Sequence, residues 1–195
     1  MANVNAPFGL RPVRTMSGSP FNSQGRLVYI PSANTDAMYI GDAVISDGSG
    51  DADGVPGISK YTGTGTMRGV IVGFKTNPAD QYAISVPATK TKAYYAYIIE
   101  DPNTVFEIQD DGAAALTAAN IGQNADMTIA APTGIGNQSA STLSAASAAT
   151  TSTLAVRILG LAPKTSTPGG NAFGTYAVWE VKINNSEFAT GVTGV

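Results

Sequence analysis

The chain has 195 residues, 43% of them hydrophobic, enough to bury one core, and only 13% charged, well below the roughly 25% usual in soluble domains. It contains no cysteine and no histidine, which excludes disulfides, thiolate metal sites, imidazole ligands and the usual general base at neutral pH. With a net charge of −3 it also lacks the cationic surface from which nucleic-acid binders draw their affinity, and no partner of that kind is expected.

Residues 1–25 show no periodicity. Pro7, Pro12 and Pro20 fix the backbone and withhold donors, so the segment reads as an extended N-terminal arm. Its charge is one-sided, because Arg11, Arg14 and Arg26 all precede the first acid, Asp36. Phe8, Leu10, Val13 and Phe21 need cover, either from the arm's own domain or from a neighbouring subunit. Residues 1–10 have neither a basic n-region nor an apolar h-region, so a cytoplasmic product is expected. No apolar run is long enough to span a bilayer, and no membrane partner is expected.

Residues 26–195 read as one β-rich domain. Strands are expected over 26–30 and 39–46, the second broken at Gly41–Asp42, and over 66–74 after a long loop at 47–65. Strands at 92–100 and 104–109, separated by Pro102–Asn103, predict a hairpin. The tyrosines at 94, 95 and 97 read as ordinary strand packing. Residues 112–123 predict the one short helix, capped by Asp110 or Asp111 and ended by Gly122. The tract 133–153, almost all Ala, Ser, Thr, Gly and Asn, predicts a long surface loop or exposed edge. Strands at 154–161 and 176–183 close the chain. The second alternates Ala177, Trp179, Val181 and Ile183 against Glu180 and Lys182, as a half-buried antiparallel strand does. The fold class is therefore mainly β, an antiparallel sandwich or jelly-roll-like domain.

Catalytic patterns are scarce. The glycines at 63, 65 and 69 have the wrong spacing for a dinucleotide loop and lead into a strand. Asp47, Asp51 and Asp53 offer oxygen ligands at alternate positions, but an EF-hand register puts Lys60 where the bidentate Glu belongs. A solvated acidic turn is the favoured reading. Glu100, Asp101, Glu107, Asp110 and Asp111 contain the pairs from which a glycan-cleaving enzyme would draw its two carboxylates. They sit at strand ends beside turns, where acids are ordinarily found. No catalytic residue, cofactor or metal is expected. The patterns Asn137–Gln138–Ser139 and Asn184–Asn185–Ser186 match a glycosylation acceptor only incidentally, without a secretory signal.

The segments NAPFGLRPV at 5–13, TVFEIQDDG at 104–112, ANIGQNADM at 119–127, TLAVRILGL at 153–161 and WEVKINNSE at 179–187 resemble the small head-decoration, or cement, proteins of tailed bacteriophages. The resemblance implies a jelly-roll-like domain outside an icosahedral capsid, bridging subunits of the major capsid protein, and a dimer or trimer on that shell. On this reading Phe8 and Leu10 fill pockets of the capsid while Arg11 and Arg14 pair with its carboxylates. A tail, fibre or receptor-binding virion component remains the alternative, its tyrosines at 94–97 facing carbohydrate.

Overall fold

The computed structural model describes residues 3–22, 24–76, 84–132, 138–163, 170–189, 191, 193 and 194. Twelve strands are named among them: β1 (Arg11–Thr15), β2 (Arg26–Ile30), β3 (Ala43–Gly50), β4 (Pro56–Lys60), β5 (Gly69–Phe74), β6 (Tyr94–Ile99), β7 (Thr104–Gln109), β8 (Asn124–Ala125), β9 (Met127–Thr128), β10 (Thr142–Leu143), β11 (Val156–Leu161) and β12 (Val178–Ile183). The class is the mainly β one expected, with antiparallel sheets in a sandwich-like arrangement. One sheet has the order β1-β7-β12-β11-β8, and β2-β4-β3-β5-β6 close into a barrel whose only parallel pair is β2 with β4. Among the described residues no helix is long and apolar enough to cross a membrane.

Alternation builds both cores. In β12, Trp179, Val181 and Ile183 point inward beside Phe106 and Ile108 of β7 and Val156 and Ile158 of β11. Val70 of β5 and Ile99 of β6, with Tyr61 just after β4 and Met67 just before β5, belong to the same core. The barrel has its own interior of Val28, Ile30, Val44, Ile58, Ile71, Ala96 and Ile98, each fully buried.

Several expectations are corrected. The strands on either side of Pro102–Asn103 form, but not as a hairpin: β6 pairs with β2 and β5, while β7 pairs with β1 and β12. The turn itself is real, since Asp101 accepts from the amides of Asn103 and Thr104, but its arms leave for different sheets. Only a 3-10 turn at Ala118–Asn120 stands in place of the helix over 112–123, and Thr117 caps it. Asp110 is fully buried and binds the turn at residues 176–177, so it is unavailable as a cap. The loop over 47–65 contains the end of β3 and all of β4, which pair as a barrel hairpin. The tract 133–153, of which 133–137 lie outside the described residues, is not an exposed loop. Ser139, Ser141, Leu143 and Ala145 are buried, with the Ser139 and Ser141 hydroxyls satisfying each other at 2.9 Å. Small side chains let backbone approach backbone there.

Asp47, Asp51 and Asp53 serve the β3–β4 hairpin. Asp47 accepts from the Ser49 amide and hydroxyl, and Asp51 Oδ1 from the amides of Asp53 and Val55. Among the described residues no group of three His, Cys, Asp or Glu is placed to hold a metal ion. The N–H donors, that of Val55 above all, hold the Asp51 carboxyl below its ordinary value. Its stabilising contribution is therefore present above pH 3.8 and lost as pH falls through the lower folded value. The Tyr95 hydroxyl donates to Asp51 Oδ2 at 2.8 Å, so the Tyr95 ring resonances are expected to shift in that acid window by NMR, before global unfolding.

Candidate partner-binding surface

The N-terminal segment folds onto its own domain. Residues Arg11–Thr15 are β1, the edge strand of the large sheet, with a bulge between Pro12 and Arg14. Proline and a bulge are tolerated at an edge, and both discourage pairing with another chain. Residues 19–21 cover part of the outer edge, with the Thr15 amide on Ser19 O and the Phe21 amide on Val13 O.

Charge holds this strand down. Glu107 of β7 and Glu180 of β12 are directly opposed, a destabilising like-charged pair if left alone. Arg11 bonds Glu107, and Arg14 bonds Glu180 at 2.6 Å. The two arginines expected to meet a partner's carboxylates thus meet the chain's own, across 96 and 166 residues of sequence. Leu10 is 1% exposed and belongs to the main core, so its side chain is not available to a partner. Phe8 remains. It is half-buried, and the Arg11 guanidinium lies 4.6 Å from its ring centre.

Phe8, Arg11 and Phe21 line a groove of about 260 Å3 whose other wall is Ile40, Val72 and Gln138. A close crossing sets its depth. Gly41 lies at φ 89° between Tyr39 and Asp42, whose amide bonds Tyr39 O, the glycine position of a type II turn. The Leu10 amide bonds Gly41 O at 2.9 Å, and a Cβ on Gly41 would lie 2.7 Å from Phe8 O. Gly41→Ala is expected to cost about 2–4 kcal/mol, combining left-handed strain with this clash, and thermal unfolding would measure it. Beneath the turn, Asp42 is fully buried, bonds the Tyr39 amide and pairs with Lys60 at 3.0 Å. Burial pushes its carboxyl above the ordinary value, against the pull of the ammonium.

The acids weighed for catalysis have other work. Glu100 pairs with Arg26 and Arg68, Glu107 with Arg11, and Asp111 accepts from the amides of Ala113 and Ala145. Asn185 donates to Gly65 O and Thr153 O, and Asn184 to Ser152 O and Leu154 O, while Asn137 lies outside the described residues.

No protein-family model, curated protein or solved structure matches the chain.

Sequence reasoning missed Asp110, read as a helix cap, and the role of Glu107 and Glu180 as partners of the arm. One signal was present: a basic segment at one end needs acids elsewhere, and Glu107 and Glu180 are the only acids within β7 and β12.

Proposed function

We propose that the chain is a decoration, or cement, protein that binds the outside of a tailed-phage head and bridges subunits of the major capsid protein. One observation carries the reading. All five segments of the resemblance fall on or run into strands of a single sheet, β1, β7, β12, β11 and β8, and none falls in the barrel. Segments scattered over 183 residues thus converge on one continuous unit, as a shared structural element would.

The groove at the edge of that sheet supplies an apolar contact with a cation at its rim, Phe8 beside Arg11. Packaged DNA strains the shell outward, and a clamp across two subunits opposes their separation. Each contact can be weak, because the second becomes effectively intramolecular once the first has formed.

Purified protein added to undecorated heads is expected to bind saturably, with copy number near that of the major capsid protein by quantitative gel or cryo-electron microscopy. Phe8→Ala, which leaves Leu10 and both ion pairs in place, is expected to lower occupancy about tenfold while unfolding within a few degrees of the parent. Absence of saturable binding by the parent protein would refute the reading.

A further inference from the structure

The barrel carries a second surface, unrelated to the groove. In β2 and β6 the inward residues are Val28, Ile30, Ala96 and Ile98, so their neighbours in sequence point outward. The antiparallel register sets Tyr29 directly opposite Tyr95 and Leu27 directly opposite Tyr97. Four outward side chains, three of them aromatic, therefore form one contiguous block. The Tyr29 and Tyr95 rings lie 5.7 Å apart, and Tyr97 is 39% exposed. Next to Tyr97 on β5 stands Gly73, and a Cβ built there meets nothing within 4 Å among the described residues, so no described side chain covers that side of the ring.

Polar groups frame this block. Asp51 Oδ2 holds the Tyr95 hydroxyl, and the Lys75 ammonium lies 5.2 Å from the Tyr95 ring centre. Asp51 is itself fixed by the Asp53 and Val55 amides. The arrangement is an aromatic floor with a positioned carboxylate and an ammonium at its rim.

We propose that this face of the barrel binds neutral hexose chains, a property independent of the capsid reading. A pyranose presents one apolar C–H face and a rim of hydroxyls. Tyrosine offers the matching apolar ring and polar tip, while Asp51 accepts and Lys75 donates at the edge. Stacked nucleic-acid bases would also use the rings, but Asp47, Asp51 and Asp53 crowd one hairpin beside them and repel phosphate. Four side chains on two strands are also far fewer than the 20–30 residues a side typical of a stable protein interface.

The test is an NMR titration of the ¹⁵N-labelled full chain with maltohexaose, cellohexaose and mannohexaose at millimolar concentration, with oligothymidine as the comparison. At least one hexaose is expected to shift amides of β2, β6 and the β3–β4 hairpin saturably. Tyr97→Ala is expected to weaken that binding about tenfold with an unchanged circular dichroism spectrum. Tyr97→Phe, which keeps the ring, is expected to retain it. The proposal is overturned if none of the three hexaoses shifts these amides, if Tyr97→Ala binds as the parent does, or if oligothymidine alone produces the shifts.

Discussion

Replacing Asp110 by asparagine is expected to destabilise the fold by about 2–4 kcal/mol, although the two side chains have nearly the same shape. All four partners of the carboxylate are donors. Oδ1 accepts from the amides of Gly112 and Tyr176, and Oδ2 from the Ala177 amide and the Trp179 indole. Asparagine in either orientation turns an NH2 group against two of them and leaves buried N–H groups without acceptors. The site is also strained. Tyr176 has φ 59°, the only positive value among the described non-glycine residues, and the bond from its amide to Asp110, at 2.6 Å, helps hold it there. Urea unfolding gives the stability change, and the fluorescence of Trp179, the single tryptophan, reports the loss of its indole partner in the native state. A midpoint unchanged from the parent would contradict this account.

Deleting residues 2–14 is expected to leave most of the protein unfolded at room temperature. An arm that merely reached for a neighbour would be dispensable to the domain, but this one is not. The deletion removes Leu10 from the core, a loss of about 2–5 kcal/mol for a buried leucine. It also strips Glu107, 3% exposed, of Arg11; the arginine side of that pair is open to solvent, so its loss adds about 1–3 kcal/mol, the cost of leaving a buried acceptor unsatisfied. The two together reach the lower part of the stability range of an ordinary domain, roughly 5–15 kcal/mol. Most of β1 goes as well, which bares the backbone of β7 to aggregation. Circular dichroism and the soluble fraction after expression would show it. Retention of the parent's cooperative melt would mean that the segment is peripheral after all.

Local pattern made some of this fold legible and not the rest. The strands at 26–30 and 104–109 appear with the bounds expected, because continuous β-branched and aromatic runs need a sheet whatever their partners. The alternation in β12 also survives, with Glu180 and Lys182 outward. Pairing was less visible. Pro102–Asn103 makes a turn, but turn chemistry alone does not say whether its arms stay together. β7 is buried along its whole length, and it satisfies both edges by lying between β1 and β12. The arm misled for a similar reason. Pro12 looks like a strand breaker until its edge position is known, and the partners of Arg11 and Arg14 are remote in sequence. The alanine run at 113–115 favours helix in isolation, yet its would-be cap Asp110 is committed to Tyr176 and Trp179. Of the candidate contact residues, Leu10 lies in the core and Arg11 and Arg14 meet the chain's own acids, while Phe8 is half-buried at the groove.

The strand order has a consequence for synthesis on the ribosome. All five barrel strands come from one uninterrupted stretch between Arg26 and Ile99, and the pair Arg26–Glu100 ties its two ends at 2.8 Å. That part can assemble as soon as it emerges. The large sheet cannot, because β12 sits between β7 and β11 and is the last strand made. At roughly 5–20 residues per second, β1 waits many seconds for its first neighbour and longer for the sheet to close. Meanwhile β7, apolar on its inner face, has only β1 beside it, whose Arg11 meets Glu107 while Arg14 waits for Glu180 of β12. The bulge, the proline and Arg11 of that strand therefore act twice, as an edge in the finished protein and as a temporary cover during its making.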